Sequence, residues 1–145
     1  MTKDNSKPND PFDIIITWCP QDGWNDLVPG VSKLTDAIDK FGNYEAQVKF
    51  VNGIWYEFAN KTVQVVLLDN ETTIYKIRVS AEFPDKTLLP MNIKDVEQIY
   101  GPVIQIEVDE FGTVTYERPG LRVACRLFDN PQPVKWLEFY SDSLL

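Results

Sequence analysis

Residues 54–70 read IWYEFANKTVQVVLLDN, and residues 114–130 read VTYERPGLRVACRLFDN. With Tyr56 set on Tyr116 the two stretches run on without a gap to Ser80 and Tyr140, and Tyr, Glu, Val, Leu, Asp and Asn coincide at six of those 25 positions. Apolar residues alternate with polar ones through most of both stretches, which is the period of a half-buried strand. Upstream of each lies a helix-periodic segment closing on an aromatic-Gly pair, Phe41-Gly42 in one case and Tyr100-Gly101 in the other. The pattern reads as a tandem duplication, residues 31–80 and residues 91–140, and a duplicated unit sets the architecture.

Each unit is a helix followed by a four-stranded antiparallel meander. In the first copy Val31, Leu34, Ala37, Ile38 and Phe41 recur at helical spacing, with Ser32 as N-cap and Gly42 as the stop. The second copy repeats this with Ile93, Val96, Ile99 and Tyr100, Asn92 as N-cap and Gly101-Pro102 as the stop. The period then switches from 3.6 to 2. Residues 46–51 and 54–58 flank Asn52-Gly53, a hairpin signal whose two central positions call for positive φ. Residues 62–68 and 73–79 complete the first meander, and residues 103–108, 113–117, 121–128 and 134–140 form the second. Joined edge to edge, they predict an α+β fold with one twisted sheet of about eight strands and both helices on one face. Residues 12–145 make that single domain, residues 12–18 adding a strand, and residues 1–11 have the composition of a flexible tail.

Composition narrows the function. A chain of 145 residues with 43% hydrophobic and 12% aromatic content builds its own core. A net charge of −8 argues against nucleic acid as the partner, because nonspecific affinity for phosphates comes from Lys and Arg. A basic partner, or none, suits it better. The polar start and the short apolar run Ile14-Ile15-Ile16 provide neither a secretory signal nor a membrane span, so a cytoplasmic protein without membrane contact is expected. Cys19 and Cys125 have no metal-like spacing and read as reduced thiols, with a disulfide as the alternative.

The chain has no histidine, which excludes Ser-His-Asp and Cys-His catalysis and histidine-based metal sites. No glycine falls in a phosphate-binding loop pattern. Asp36, Asp39, Asp109 and Glu110 read as solvated surface carboxylates, and Asp22 and Asp26 lack the ligand spacing of a calcium loop. The expectation is therefore a non-enzymatic protein with no cofactor and no metal.

Alternation assigns Ile54, Tyr56, Phe58, Val63, Val65, Leu67, Ile77 and Val79, with Val114, Tyr116, Val123, Cys125, Leu127, Leu137 and Phe139, to the face beneath the helices. The opposite face then carries Gln47, Lys49, Trp55, Glu57, Gln64, Lys76 and Arg78, with Gln105, Glu107, Thr115, Glu117, Arg122, Arg126, Trp136 and Glu138. Trp55, Glu57, Lys76, Glu117, Arg122, Arg126, Trp136 and Glu138 are the candidate partner-binding residues. A large aromatic on a sheet face is a typical interface anchor, while a covering loop or a homodimer mate gives the same pattern. Glu57 and Glu117 also read as cross-strand ion pairs.

These units resemble the tandem repeats of β-lactamase inhibitor proteins and the single small-protein-A/outer-membrane-lipoprotein unit of the same fold. The resemblance rests on the helix, the aromatic-Gly stop and the meander with a Tyr before its third strand, and it covers residues 31–140. It implies an inhibitor-like or immunity-like protein that grips another protein with its sheet, and it carries over no individual binding residue. Those relatives are exported, and this chain shows no signal. The alternative is a small-ligand carrier or acid-base enzyme with a pocket between the two repeats, served by Glu57, Glu117, Tyr56 or Tyr116.

Overall fold

The computed structural model describes residues 18–69 and 71–141; the expected tail and nearly all of the strand over residues 12–18 lie outside them. The element order is α1 (Leu34–Phe41), β1 (Ala46–Phe50), β2 (Gly53–Phe58), β3 (Val63–Leu68), β4 (Lys76–Ser80), α2 (Ile93–Tyr100), β5 (Ile104–Val108), β6 (Thr113–Arg118), β7 (Leu121–Arg126) and β8 (Val134–Tyr140). The protein is α+β, with one antiparallel sheet of eight strands in the order β1-β2-β3-β4-β8-β7-β6-β5. Each meander puts its first strand at an outer edge and its last at the centre, where Ile77 faces Phe139 and Val79 faces Leu137.

Alternation predicts the buried face of the six inner strands. Phe58, Val63, Val65, Ile77, Val79, Val114, Val123, Cys125, Leu137 and Phe139 are all fully buried, and Ile54, Tyr116 and Leu127 pack at their margin. Phe41 of α1 meets Phe58 with ring centroids 5.7 Å apart, and Tyr100 of α2 meets Phe139 at the same separation. Register places Phe58 and Phe139 on one side of the sheet, so both helices lie there. The loop before α1 closes the core between them. Its Trp24 packs against Phe41, Phe83 and Phe139 and donates its indole N–H to the Leu88 carbonyl at 3.0 Å. Burial also pushes the Cys125 thiol up to about 12, and both Cys19 and Cys125 are free.

Several local expectations are corrected. Ser32 is not the N-cap of α1: its hydroxyl accepts the Val28 N–H at 2.8 Å, and the Asp36 carboxylate accepts the Lys33 N–H at the helix start. Val31 lies outside the helix and is exposed. Asn92 does cap α2, accepting from the Lys94 and Asp95 N–H groups. The β1–β2 loop is Val51-Asn52, because Gly53 already pairs with Phe50, and neither Asn52 nor Gly53 has positive φ. Gly53 is required for space instead, since a Cβ there would fall 2.2 Å from the Leu67 carbonyl oxygen. Residues 73–75 do not open β4, because Thr73 bridges to Lys33 and Ile74 donates to the Ser32 carbonyl.

The edge strands also differ from the expected faces. Gln47 opposes Tyr56 and Lys49 opposes Ile54, so both point to the helix side. In β5 a register shift between Gln105 and Glu107 inserts Ile106 as a bulge residue, leaving Gln105 opposite Tyr116 on the helix side and Glu107 opposite Thr115 on the outer one.

The β2–β3 turn holds three consecutive non-glycine residues at positive φ: Ala59 (54°), Asn60 (56°) and Lys61 (67°). Such a conformation costs about 1–2 kcal/mol per residue. The Glu45 carboxylate offsets part of this cost by accepting the Asn60 and Lys61 N–H groups at 2.8 and 3.1 Å, and the Thr62 hydroxyl donates to the Ala59 carbonyl at 2.6 Å. One substitution should therefore act with opposite signs at two sites. In urea denaturation Ala59→Gly is expected to stabilise by about 0.5–1 kcal/mol, and Ala37→Gly, in the buried face of α1, to destabilise by about 1 kcal/mol or more. Destabilisation at both sites would contradict the left-handed turn.

Candidate functional site

The outer face of the sheet is built as ranks of cross-strand neighbours. The central rank runs Ala46, Glu57, Gln64, Arg78, Glu138, Arg122, Glu117 and Ile104 across all eight strands. Four of the eight candidate binding residues, Glu57, Glu117, Arg122 and Glu138, fall in this single line. Its charges alternate from Arg78 to Glu117, and three neighbouring pairs bond directly. Gln64 donates to Glu57 at 3.3 Å, Arg78 donates from Nε and one terminal nitrogen to Glu138 at 3.1 and 2.9 Å, and Arg122 donates to Glu117 at 3.2 Å.

Glu138 is the centre of this arrangement. It is 4% exposed although it lies on the outer face, and Lys76 approaches its other oxygen at 3.6 Å. Its carboxylate is thus covered by its own cations, while the Arg78 and Arg122 side chains above the sheet remain 42% and 41% exposed. Sequence alternation places Glu138 on this face but does not reveal that it is buried there. The Tyr140 hydroxyl donates to Glu117 at 2.5 Å and closes the network toward β6.

A second rank carries Val48, Trp55, Val66, Lys76 and Tyr140, and a third carries Ser80, Trp136, Ala124, Thr115 and Glu107. Both tryptophans are half-buried. Trp55 stacks on Phe50 at 5.8 Å between centroids, and its indole N–H finds no acceptor among the described residues. Trp136 lies across Ala124, which is fully buried, and the Arg78 guanidinium sits 4.0 Å from its ring centroid. Arg126 stands at the margin opposite Thr113, 66% exposed and 3.6 Å from Asp129.

The geometry separates the groups expected to serve an acid-base pocket. Tyr56 and Tyr116 point under the helices, whereas Glu57 and Glu117 point to the outer face. Glu57 and Glu117 are five strand spacings apart, about 24 Å along the sheet, and paired carboxylates acting on one bond sit about 5–10 Å apart. Asp22 and Asp26 are likewise engaged, the first accepting the Cys19 N–H at 2.8 Å and the second 3.8 Å from Lys40.

No protein-family model and no curated protein matches the chain. Among solved structures, a DUF4309 family protein (YjgB) from Bacillus subtilis is similar at 14% identity, covering 81% of this chain and 84% of that one with a TM-score of 0.49. A cysteine-rich secretory protein (SAV1118) from Staphylococcus aureus is similar at 12% identity and a TM-score of 0.49; the match covers 79% of this chain and 45% of that one. Among the described residues no helix is long and apolar enough to cross a membrane.

The burial of Glu138 distinguishes it from its neighbours in the same rank. Glu138→Gln leaves Arg78 and Lys76 without their counter-charge, and in chemical denaturation it is expected to cost about 1.5–3 kcal/mol. Glu57→Gln, at a more exposed position with only an amide neighbour, should stay within about 0.5 kcal/mol. Equal small losses would show that Glu138 does not hold the rank together.

Proposed function

We propose that the protein is a non-enzymatic protein-binding module of inhibitor or immunity type, and that the outer sheet face is its contact surface. One observation carries the reading. The central rank carries alternating charge from Arg78 through Glu138 and Arg122 to Glu117 across the four strands β4, β8, β7 and β6, flanked by Trp55 and Trp136, and both helices lie on the other side of the sheet. A rank whose members already hold one another in place loses little side-chain freedom on association, which favours affinity. Half-buried tryptophans beside exposed arginines have the composition of an interface hot spot. The net charge of −8 favours a basic partner through long-range attraction.

On the same reading the chain arose by duplication of a helix-plus-meander unit, as in the inhibitor proteins it resembles. The support is the shared Tyr-Glu pair at the same place in β2 and β6, and a strand order that places corresponding strands at corresponding distances from the centre. A cytoplasmic setting fits two free thiols.

Calorimetric titration against a partner captured with the wild-type protein tests the proposal. Trp55→Ala and Arg126→Glu should each weaken the complex, Trp55→Ala by about 2 kcal/mol or more, with melting temperatures little changed. Asp39→Lys, on the exposed side of α1 across the molecule, should leave affinity as it is. Loss of affinity in the α1 variant with none in the sheet variants would move the contact surface to the helices.

A further inference from the structure

The two edges of the sheet are unlike. β1 carries Lys49 within the strand, the kind of charge that discourages pairing with another chain. β5 reads Ile104-Gln105-Ile106-Glu107-Val108, with neither cation nor proline, and every one of these residues is exposed. Ile104, Ile106 and Val108 keep 69%, 42% and 46% of their surface in solvent. Isoleucine and valine favour extended pairing. The Asp109 N–H bonds inward to the Thr113 carbonyl, so the alternation of an antiparallel pair turns the N–H and C=O of Val108 away from β6. Because β5 ends the sheet, that outward row meets no strand among the described residues.

The charge around this edge is of one sign. From residue 95 to residue 117 the chain has Asp95, Glu97, Glu107, Asp109, Glu110 and Glu117, and no Lys or Arg. Half of these carboxylates are engaged. Asp95 accepts the Met91 N–H, Asp109 accepts the Phe111 and Thr113 N–H groups with Lys135 close by, and Glu117 accepts from Arg122 and the Tyr140 hydroxyl. Glu97, Glu107 and Glu110 are exposed, and their carboxylates have no partner among the described residues. Glu107 shares the outer side of β5 with Ile104, and Val108 lies on the helix side opposite Val114.

We infer that β5 receives an extended segment of a partner protein as an added strand, one that carries Lys or Arg on the side of Glu107 and apolar residues on the side of Val108. In strand addition the main-chain hydrogen bonds supply affinity and alternate side chains supply selectivity. Charge chooses the occupant. A second copy of this chain brings the same carboxylates and no cation to the contact, and like charges facing each other across strands are destabilising. A basic segment instead neutralises Glu107 and Glu110, and a net charge of −8 attracts it from a distance. The bulge at Ile106 acts in the same direction, since two identical edges would have to match one bulge with another. The site does not rest on the outer-face reading, because Trp55 stands on β2 near the opposite edge.

NMR titration of the full chain with a short blocked peptide of alternating Lys and Val tests this. The β5 amides should shift saturably and exchange more slowly with solvent, while the same peptide with Glu for each Lys should give no saturable shift. Ile104→Lys and Glu107→Lys, each with an unchanged melting temperature, should weaken the binding about ten-fold or more. Trp55→Ala should leave it as it is, which separates failure of this site from failure of the outer face. No saturable shift with either peptide, equal binding of both, or binding unchanged in both β5 variants would overturn the site. So would a dimer in sedimentation equilibrium that Ile104→Lys breaks, or β5 amides protected before peptide is added, since a second copy or residues 1–17 would then hold the edge.

Discussion

The pairing of β4 with β8 is the contact on which the rest of the molecule depends. It joins strands about sixty residues apart in sequence, turning two local meanders into one sheet, so a large loop-closure entropy must be overcome before the contact forms. What offsets that cost lies on both sides of the junction. Beneath it, Ile77, Phe139, Val79 and Leu137 are fully buried against one another and the helices. Above it, Arg78 and Glu138 face each other and bond through two nitrogens. The aromatic chain from Phe58 through Phe41, Trp24 and Phe139 to Tyr100 fastens α1 and α2 to the same centre.

This junction also explains the character of the outer face. A buried carboxylate is costly unless cations and hydrogen bonds surround it. Glu138 meets that condition with Arg78 and Lys76, while Arg122 and Glu117 form a separate pair on the neighbouring strands. The result is a polar surface whose side chains are fixed by their neighbours rather than freely solvated. Its central part follows from the need to neutralise the buried Glu138 carboxylate at the middle of the sheet.

Much of the fold is legible in the sequence, because the signals that decide it are local. Strand alternation, aromatic-Gly helix stops and the Asn92 cap each act over a few residues, and the observed elements begin and end close to the expected bounds. The sites where reading fails share a different cause. Ser32 has the chemistry of a cap but bonds to Val28, since the neighbouring Lys33 starts the helix and Asp36 serves its N–H. The bulges at Ile106 and Lys135 change which face a side chain takes, and nothing in composition marks a residue that a register shift has inserted. Ala59, Asn60 and Lys61 include no glycine to announce a left-handed turn, which only the distant Glu45 makes tolerable. The positions of Trp55, Glu57, Glu117 and Trp136 on the outer face, by contrast, follow from alternation alone.

Native-state hydrogen exchange reads the central junction most directly. If β4 and β8 join the meanders into one cooperative unit, their paired amides should exchange only through global unfolding. Their opening free energies should then equal each other and the value from denaturation, with β1 and β5 opening more readily at the edges. Exchange of one whole meander at a lower free energy, while the other stays protected, would contradict that account and leave the outer face as two separate halves.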